Sequence, residues 1–111
     1  MPLVPSKYFK IQVTVPPSHA EKVRKALGDA GAGKQGNYAY CSGSYRSMGR
    51  FLPLEGADPA IGEVGKMEEV EEEVIQTICH EDLVSGVIAA IKKVHPYEEP
   101  AIDITQRFEV K

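Results

Sequence analysis

The densest potential chemistry in the chain is one stretch, His95-Pro96-Tyr97-Glu98-Glu99-Pro100. An imidazole titrates near neutral pH and is a common metal ligand. The carboxylates beside it offer oxygen donors, and the tyrosine adds a ring and a hydroxyl. His95 and Glu98 are therefore candidate ligands for a divalent metal ion, and Tyr97 and Glu99 join them as candidate ligand-binding residues. The same stretch has a purely structural reading. Pro96 stops a helix, Pro100 restricts the start of a strand, and His95 can cap the last helical carbonyls. A His/Glu pair without a second His or Cys nearby is a weak metal signal.

A second group is Gly31-Ala32-Gly33-Lys34-Gln35-Gly36-Asn37-Tyr38. Glycines with a lysine can cradle a phosphate, which makes Gly33, Lys34, Asn37 and Tyr38 candidates. The run follows a helix instead of preceding one, so it lacks the helix N-terminus on which phosphate loops depend. A helix C-cap and a tight turn explain the same residues. Cys41 and Cys79 each fall within a strand pattern, where free cysteine usually behaves as a small hydrophobe. Ser42, Ser44 and Ser47 show no nucleophile elbow and no triad order. The run Glu68-Glu69-Val70-Glu71-Glu72-Glu73 reads as a solvated acidic edge that discourages strand pairing between molecules.

The elements that must position these groups follow from periodicity. Phe9, Ile11, Val13 and Val15 alternate with Tyr8, Lys10, Gln12 and Thr14, the mark of a half-buried strand. Pro16-Pro17 ends it. Ser18 and Glu21 form a capping box, and Ala20, Val23, Leu27 and Ala30 follow at helical spacing up to Gly31. Residues 37–46 and 49–54 read as two strands around a Ser42-Gly43-Ser44 turn or bulge. Residues 55–67 are rich in Gly and Pro and read as an ordered loop with short strand pieces. Residues 70–79 make a strand that is apolar on both faces, with Val74 and Ile78 on one and Ile75, Thr77 and Cys79 on the other. Glu81-Asp82 open a second helix whose apolar stripe is Leu83, Val84, Val87, Ile88, Ile91 and Val94. A last strand begins near Tyr97.

The order is β-α-β-β-α-β, with an extra loop before the fourth β segment. Its natural packing is a ferredoxin-like split βαβ fold: one antiparallel sheet with both helices on one face. Residues 1–6 read as a disordered terminus and 7–111 as a single domain. The chain has 111 residues, too few to give two domains useful cores. Its net charge of −3, without clustered Lys and Arg, argues against nucleic acid as a partner. No apolar run approaches the ~20 residues that span a bilayer, so no membrane partner is expected. With two cysteines, no disulfide framework and no signal-peptide pattern, a cytoplasmic location is expected. Apolar groups on the sheet face left bare by the helices point to assembly.

Further motifs converge on a family. Gly31-Ala32-Gly33 with Gly36-Asn37-Tyr38, Cys41-Ser42, Gly49-Arg50-Phe51 with Pro53, Glu55-Gly56-Ala57 with Pro59, Ile61-Gly62, and Glu68-Glu69-Val70-Glu71 resemble the middle insert of the NIF-three-like proteins. These are the NGG-one-interacting-factor, or dinuclear-metal-centre, family, known in part as GTP cyclohydrolase I type 2. His95-Pro96-Tyr97-Glu98-Glu99-Pro100-Ala101-Ile102-Asp103-Ile104 fits the same insert. It is also similar to the equivalent segment of the CutA divalent-ion-tolerance proteins. The resemblance runs from about Tyr8 to Phe108. It implies a PII-like, CutA-like fold and a tendency to trimerise.

The resemblance does not carry over an enzyme. The family's two-metal site is built from residues in segments flanking this insert, and His19, His80 and His95 do not match it. The expectation is a small homotrimeric module that senses a ligand or a metal ion. Its ligand-binding set is Gly33, Lys34, Asn37, Tyr38, Arg50, His95, Tyr97, Glu98 and Glu99. A metal-dependent hydrolase and a protein-binding adaptor are the alternatives.

Overall fold

The alternating segment at the start of the chain becomes a strand longer than its alternation. In the computed structural model, which describes residues 1–111, β1 runs Leu3–Val15. Leu3, Val4 and Pro5 pair with Val110, Glu109 and Phe108, so the expected disordered terminus is strand. A register shift between Pro5 and Phe9 is what hid it, because a bulge breaks the two-residue period.

Helix α1 spans Pro17–Asp29, with Pro16 as its N-cap and no side-chain cap. The expected capping box is absent, and the Ser18 hydroxyl instead meets His19 Nδ1 at 2.9 Å. Prolines suit this start because the first helical N–H groups have no partner inside the helix. At the other end Gly31 takes φ +101°. Its N–H donates to the Gly28 carbonyl at 3.0 Å, and that of Ala32 to Leu27 at 3.0 Å. This is a Schellman cap, the role expected of Gly31.

The two short strands expected over 37–54 are one strand, β2, Gly43–Phe51. Residues 52–67 contain no strand. β3 runs Glu68–His80. A 3-10 turn over Glu81–Leu83, capped by the His80 side chain, leads into α2, Val84–Val94. β4 is Ala101–Val110, so Tyr97 precedes the last strand instead of opening it.

The sheet order is β2-β3-β1-β4, antiparallel throughout. Ile11, Val13, Val15, Ile75 and Cys79 pack with Ala20, Val23, Leu27, Val87 and Ile91 in one core, so both helices lie on one face, as a split βαβ fold requires.

β3 is a central strand, and its acidic run is therefore not an edge. Glu69, Glu71 and Glu73 share one face, where Arg50, Arg46 and Arg24 pair with them. Glu72 points to the opposite, open face and is 7% exposed.

Candidate ligand site

Along β2, Gly49 and Phe51 lie on the open face with Glu72. Gly49 is required there. A Cβ at that position would stand 1.7 Å from Glu72 Oε1, so the absent side chain is the space the carboxylate occupies. Tyr97 closes over it and donates its hydroxyl to Glu72 Oε2 at 2.9 Å. Burial, reinforced by this hydrogen bond and by the Glu72 charge, holds the Tyr97 hydroxyl pKa well above the usual phenol range. Tyr97 is thus a fixed neutral donor.

His95 holds Tyr97 in place. α2 ends because Pro96 forces His95 into extended backbone, φ −76° and ψ 133°. The His95 ring then turns under the sheet, where Nε2 meets the Thr14 carbonyl at 2.7 Å and Nδ1 accepts the Tyr97 N–H at 3.2 Å. A carbonyl only accepts, so Nε2 carries the proton. Burial pulls the His95 pKa below the usual imidazole range, against the opposing pull of the Thr14 carbonyl and Glu72.

Both ring nitrogens are therefore engaged, and neither is free for a metal ion. Glu98 accepts the Asp58 N–H through Oε1 at 2.6 Å. No group of three or more His, Cys, Asp or Glu side chains converges to hold a metal. The expected His95–Glu98 metal pair does not fit this donor geometry.

The Asp58–Glu98 bond ties the loop after β2 to the segment before β4. Between them lies a cavity of about 520 Å³, within the usual range for small-molecule sites. Phe51, Pro53, Pro59, Ile61 and Tyr97 form its walls with three alanines, Ala57, Ala60 and Ala101, and Glu98 and Glu99 complete its lining. The rings of Phe51 and Tyr97 stand 6.4 Å apart, tilted by 54°.

The other expected residues lie elsewhere. Gly33 donates its N–H to the Ile78 carbonyl at 2.7 Å and accepts from Cys41 at 2.9 Å. Lys34 and Gly36 line a smaller hollow beside Ile78 and His80. Asn37 and Tyr38 are exposed in a turn closed by mutual Gln35–Tyr38 backbone bonds. Arg50 pairs with Glu69 at 2.9 Å on the helix side of the sheet. Glu72 and Ile78 are separated by about 20 Å at ~3.4 Å per strand residue, so the expected set splits between two ends of β3. Tyr97, Glu98 and Glu99 come together, with His95 behind them. The residues missed as site residues are Phe51, Pro53, Ala57, Pro59, Ile61 and Glu72. The available signal was the length of the aperiodic 52–67 stretch, since long ordered loops in small domains are usually functional. Cys41 and Cys79 are both free thiols.

No family model matches the chain. Over 103 residues it is 48% identical to a GTP cyclohydrolase 1 type 2 homolog of Halalkalibacterium halodurans, covering 93% of this chain and 28% of that protein. Among solved structures, the Bacillus cereus protein related to NIF3 matches with TM-score 0.79 and 44% identity, covering 96% of this chain and 27% of that one. CutA1 from Pyrococcus horikoshii matches with TM-score 0.67 and 26% identity, covering 93% and 86%. Bacillus subtilis GlnK, at TM-score 0.61 and 16% identity over 90% of this chain and 81% of that one, shares the fold. The architecture is therefore that of a CutA-like, PII-like α+β domain. Within that class the chain is a NIF3-like domain, and it spans about a quarter of the length of the curated relatives it matches.

Proposed function

We propose that this chain is a small homo-oligomeric regulatory module that binds a small molecule in the cavity between the 52–61 and 97–101 segments. The observation that carries this reading is the cavity itself, with apolar walls that include Tyr97, held from behind by its hydrogen bond to Glu72. A pocket of this kind, with few polar groups, is the usual form of a small-molecule site. The residues around it are bonded to one another in ways that favour a fixed shape over proton transfer. The neutral Tyr97 hydroxyl and the doubly bonded His95 ring are poor acid–base groups near neutral pH. The cyclohydrolase named among the relatives belongs to proteins of which this chain matches only 28%, and no step of it is assigned to these residues.

Assembly as a trimer is part of the proposal. Tyr45, Ile78 and Tyr8 lie on the open sheet face, where Tyr45 is 54% and Tyr8 38% exposed, and the likeness to the CutA and PII oligomers supports assembly through it. Light scattering coupled to size exclusion should give a mass near three chains, and a monomer at micromolar concentration would refute it. For the binding role, a thermal-shift screen against metals, nucleotides, organic acids and amines is expected to yield a ligand that raises the melting temperature. Ala57→Trp, which fills the cavity, should abolish that rise. A ligand that stabilises parent and variant equally would place binding elsewhere.

A further inference from the structure

The cavity is one-sided in charge. Its lining includes Glu98 and Glu99 and no lysine, arginine or histidine. The basic side chains of the adjoining segments are already paired, Arg50 with Glu69 at 2.9 Å and Lys66 with Glu63 at 3.7 Å. Arg50 also lies on the other face of the sheet from Phe51, since neighbours along a strand alternate.

The carboxylates are not equivalent. Glu98 is anchored through Oε1 by the Asp58 N–H at 2.6 Å, which leaves its second oxygen to face a ligand without moving the side chain. Glu99 is exposed and has no ion-pair partner in the chain. The Phe51 and Tyr97 rings line the same cavity, and aromatic π faces attract cations. An anion in the same space would meet like charge with no counter-ion from the protein.

We infer that the cavity selects a small organic cation, an ammonium or guanidinium head on a compact apolar body. The body lies among Phe51, Pro53 and Ile61, and the head meets Glu98 and Glu99. This rests on the cavity being the binding site and adds the class of ligand. Nucleotides and organic acids are disfavoured by the same geometry.

Three probes share one apolar body and differ in head charge: phenethylamine, 2-phenylethanol and 3-phenylpropionate. Each is titrated into the full chain near neutral pH, with the methyl signals of Ala57, Ile61 and Ala101 followed by NMR. The amine is expected to shift those methyls and to bind at least about tenfold more tightly than the carboxylate, with the alcohol between them. In the Glu98→Gln/Glu99→Gln variant the amine should weaken about tenfold while the alcohol is unchanged. Glutamine keeps an oxygen for the Asp58 N–H, so the loop tie survives. Equal affinity of the three probes, or tighter binding of the carboxylate, overturns the charge selection and leaves the cavity as the site. Amine binding that the double variant does not weaken overturns it as well. If no probe shifts these methyls, the site itself is overturned together with the ligand class.

Discussion

The two ends of β3 carry loops of similar promise and opposite fate. At the Ile78–His80 end, the glycine-rich turn after α1 spends its polar groups on the protein. Gly33 is bonded through both N–H and C=O, Gln35 and Tyr38 close on each other, and the Lys34 ammonium donates to the Gly36 carbonyl at 3.2 Å. At the Glu72 end, the backbone is tied down at a few points and side chains are left to form walls. Phe51, Pro53 and Ile61 line an open cavity, and carboxylate oxygens remain without protein donors. A turn whose Gly33, Gln35 and Tyr38 N–H groups are already spent on the protein has less to offer an anion. A loop closed by the Gly65–Pro53 backbone bond and tied across by the Asp58–Glu98 bond can leave a cavity open beside it.

The largest expected effect tests the structural commitment of the first end. Gly33 sits at φ +76°, and a Cβ there would lie 2.4 Å from the Cys41 carbonyl oxygen and 2.7 Å from its nitrogen. These are backbone atoms that cannot swing aside. Gly33→Ala should therefore cost about 2–4 kcal/mol in urea unfolding, with affinity for any cavity ligand preserved in the folded fraction. A cost under about 1 kcal/mol would break the contrast, because the turn would then be free to rearrange around a ligand.

At the second end the matching probe is Glu72→Ala. It leaves the Tyr97 hydroxyl without its acceptor in a half-buried position, at an expected cost of about 1–3 kcal/mol. Tyr97→Phe on top of it should recover part of that loss, since removing both partners of a buried bond is milder than removing one. A double-mutant cycle by chemical denaturation measures the coupling. Additive losses would mean that the Tyr97–Glu72 bond does not hold the cavity wall.

Much of this was legible in the residues, and what was not has physical reasons. Period-two alternation found β1, a run apolar on both faces found β3, and period-3.6 stripes found both helices, because each element packs against a common core. The Gly31 cap was readable because a left-handed residue after a helix is almost always glycine. Leu3–Pro5 escaped because the bulge before Phe9 shifts the register. β2 was split in two because its open edge buries little and leaves no apolar period. The acidic run was misplaced because Arg24, Arg46 and Arg50, far apart in sequence, neutralise it only in the folded sheet. The same holds for the site. Tyr97, Glu98 and Glu99 announced themselves as a motif, whereas Glu72 and Phe51 become its neighbours only when β2 and β3 pair.

A smaller effect separates the His95 ring from a metal ligand. Its pKa is lowered in the folded chain, from an ordinary value of 6.5, chiefly by burial. Below that value the unfolded chain takes up a proton that the folded chain resists, so the unfolded state binds more protons there. The stability contributed by the neutral ring is therefore complete above pH 6.5 and is lost as pH falls towards the lower folded pKa. Melting temperature should decline through this window in the parent, and less steeply in His95→Gln. Equal slopes in the two would assign the decline to other groups. A decline that added zinc reverses in the parent alone would restore His95 as a ligand.

The smallest expected effect is the most direct test of the contrast between the two ends. Lys34 is exposed, and its only bond is to the Gly36 carbonyl two residues away. Lys34→Ala should change stability by no more than about 0.5 kcal/mol, as surface substitutions usually do. If the turn binds no anion, the variant should also leave phosphate and nucleotide titrations indistinguishable from those of the parent. Thermal shift with each anion, repeated at low and high salt, provides the measurement. A specific phosphate site would show a stabilisation in the parent that is lost in the variant and that weakens with salt, because an exposed lysine–phosphate contact is screened. That result would give the glycine turn a ligand despite the bonds its backbone already makes. Its absence, beside binding at the other end, would show that the carboxylates and apolar walls of the Phe51–Tyr97 cavity decide where this domain binds.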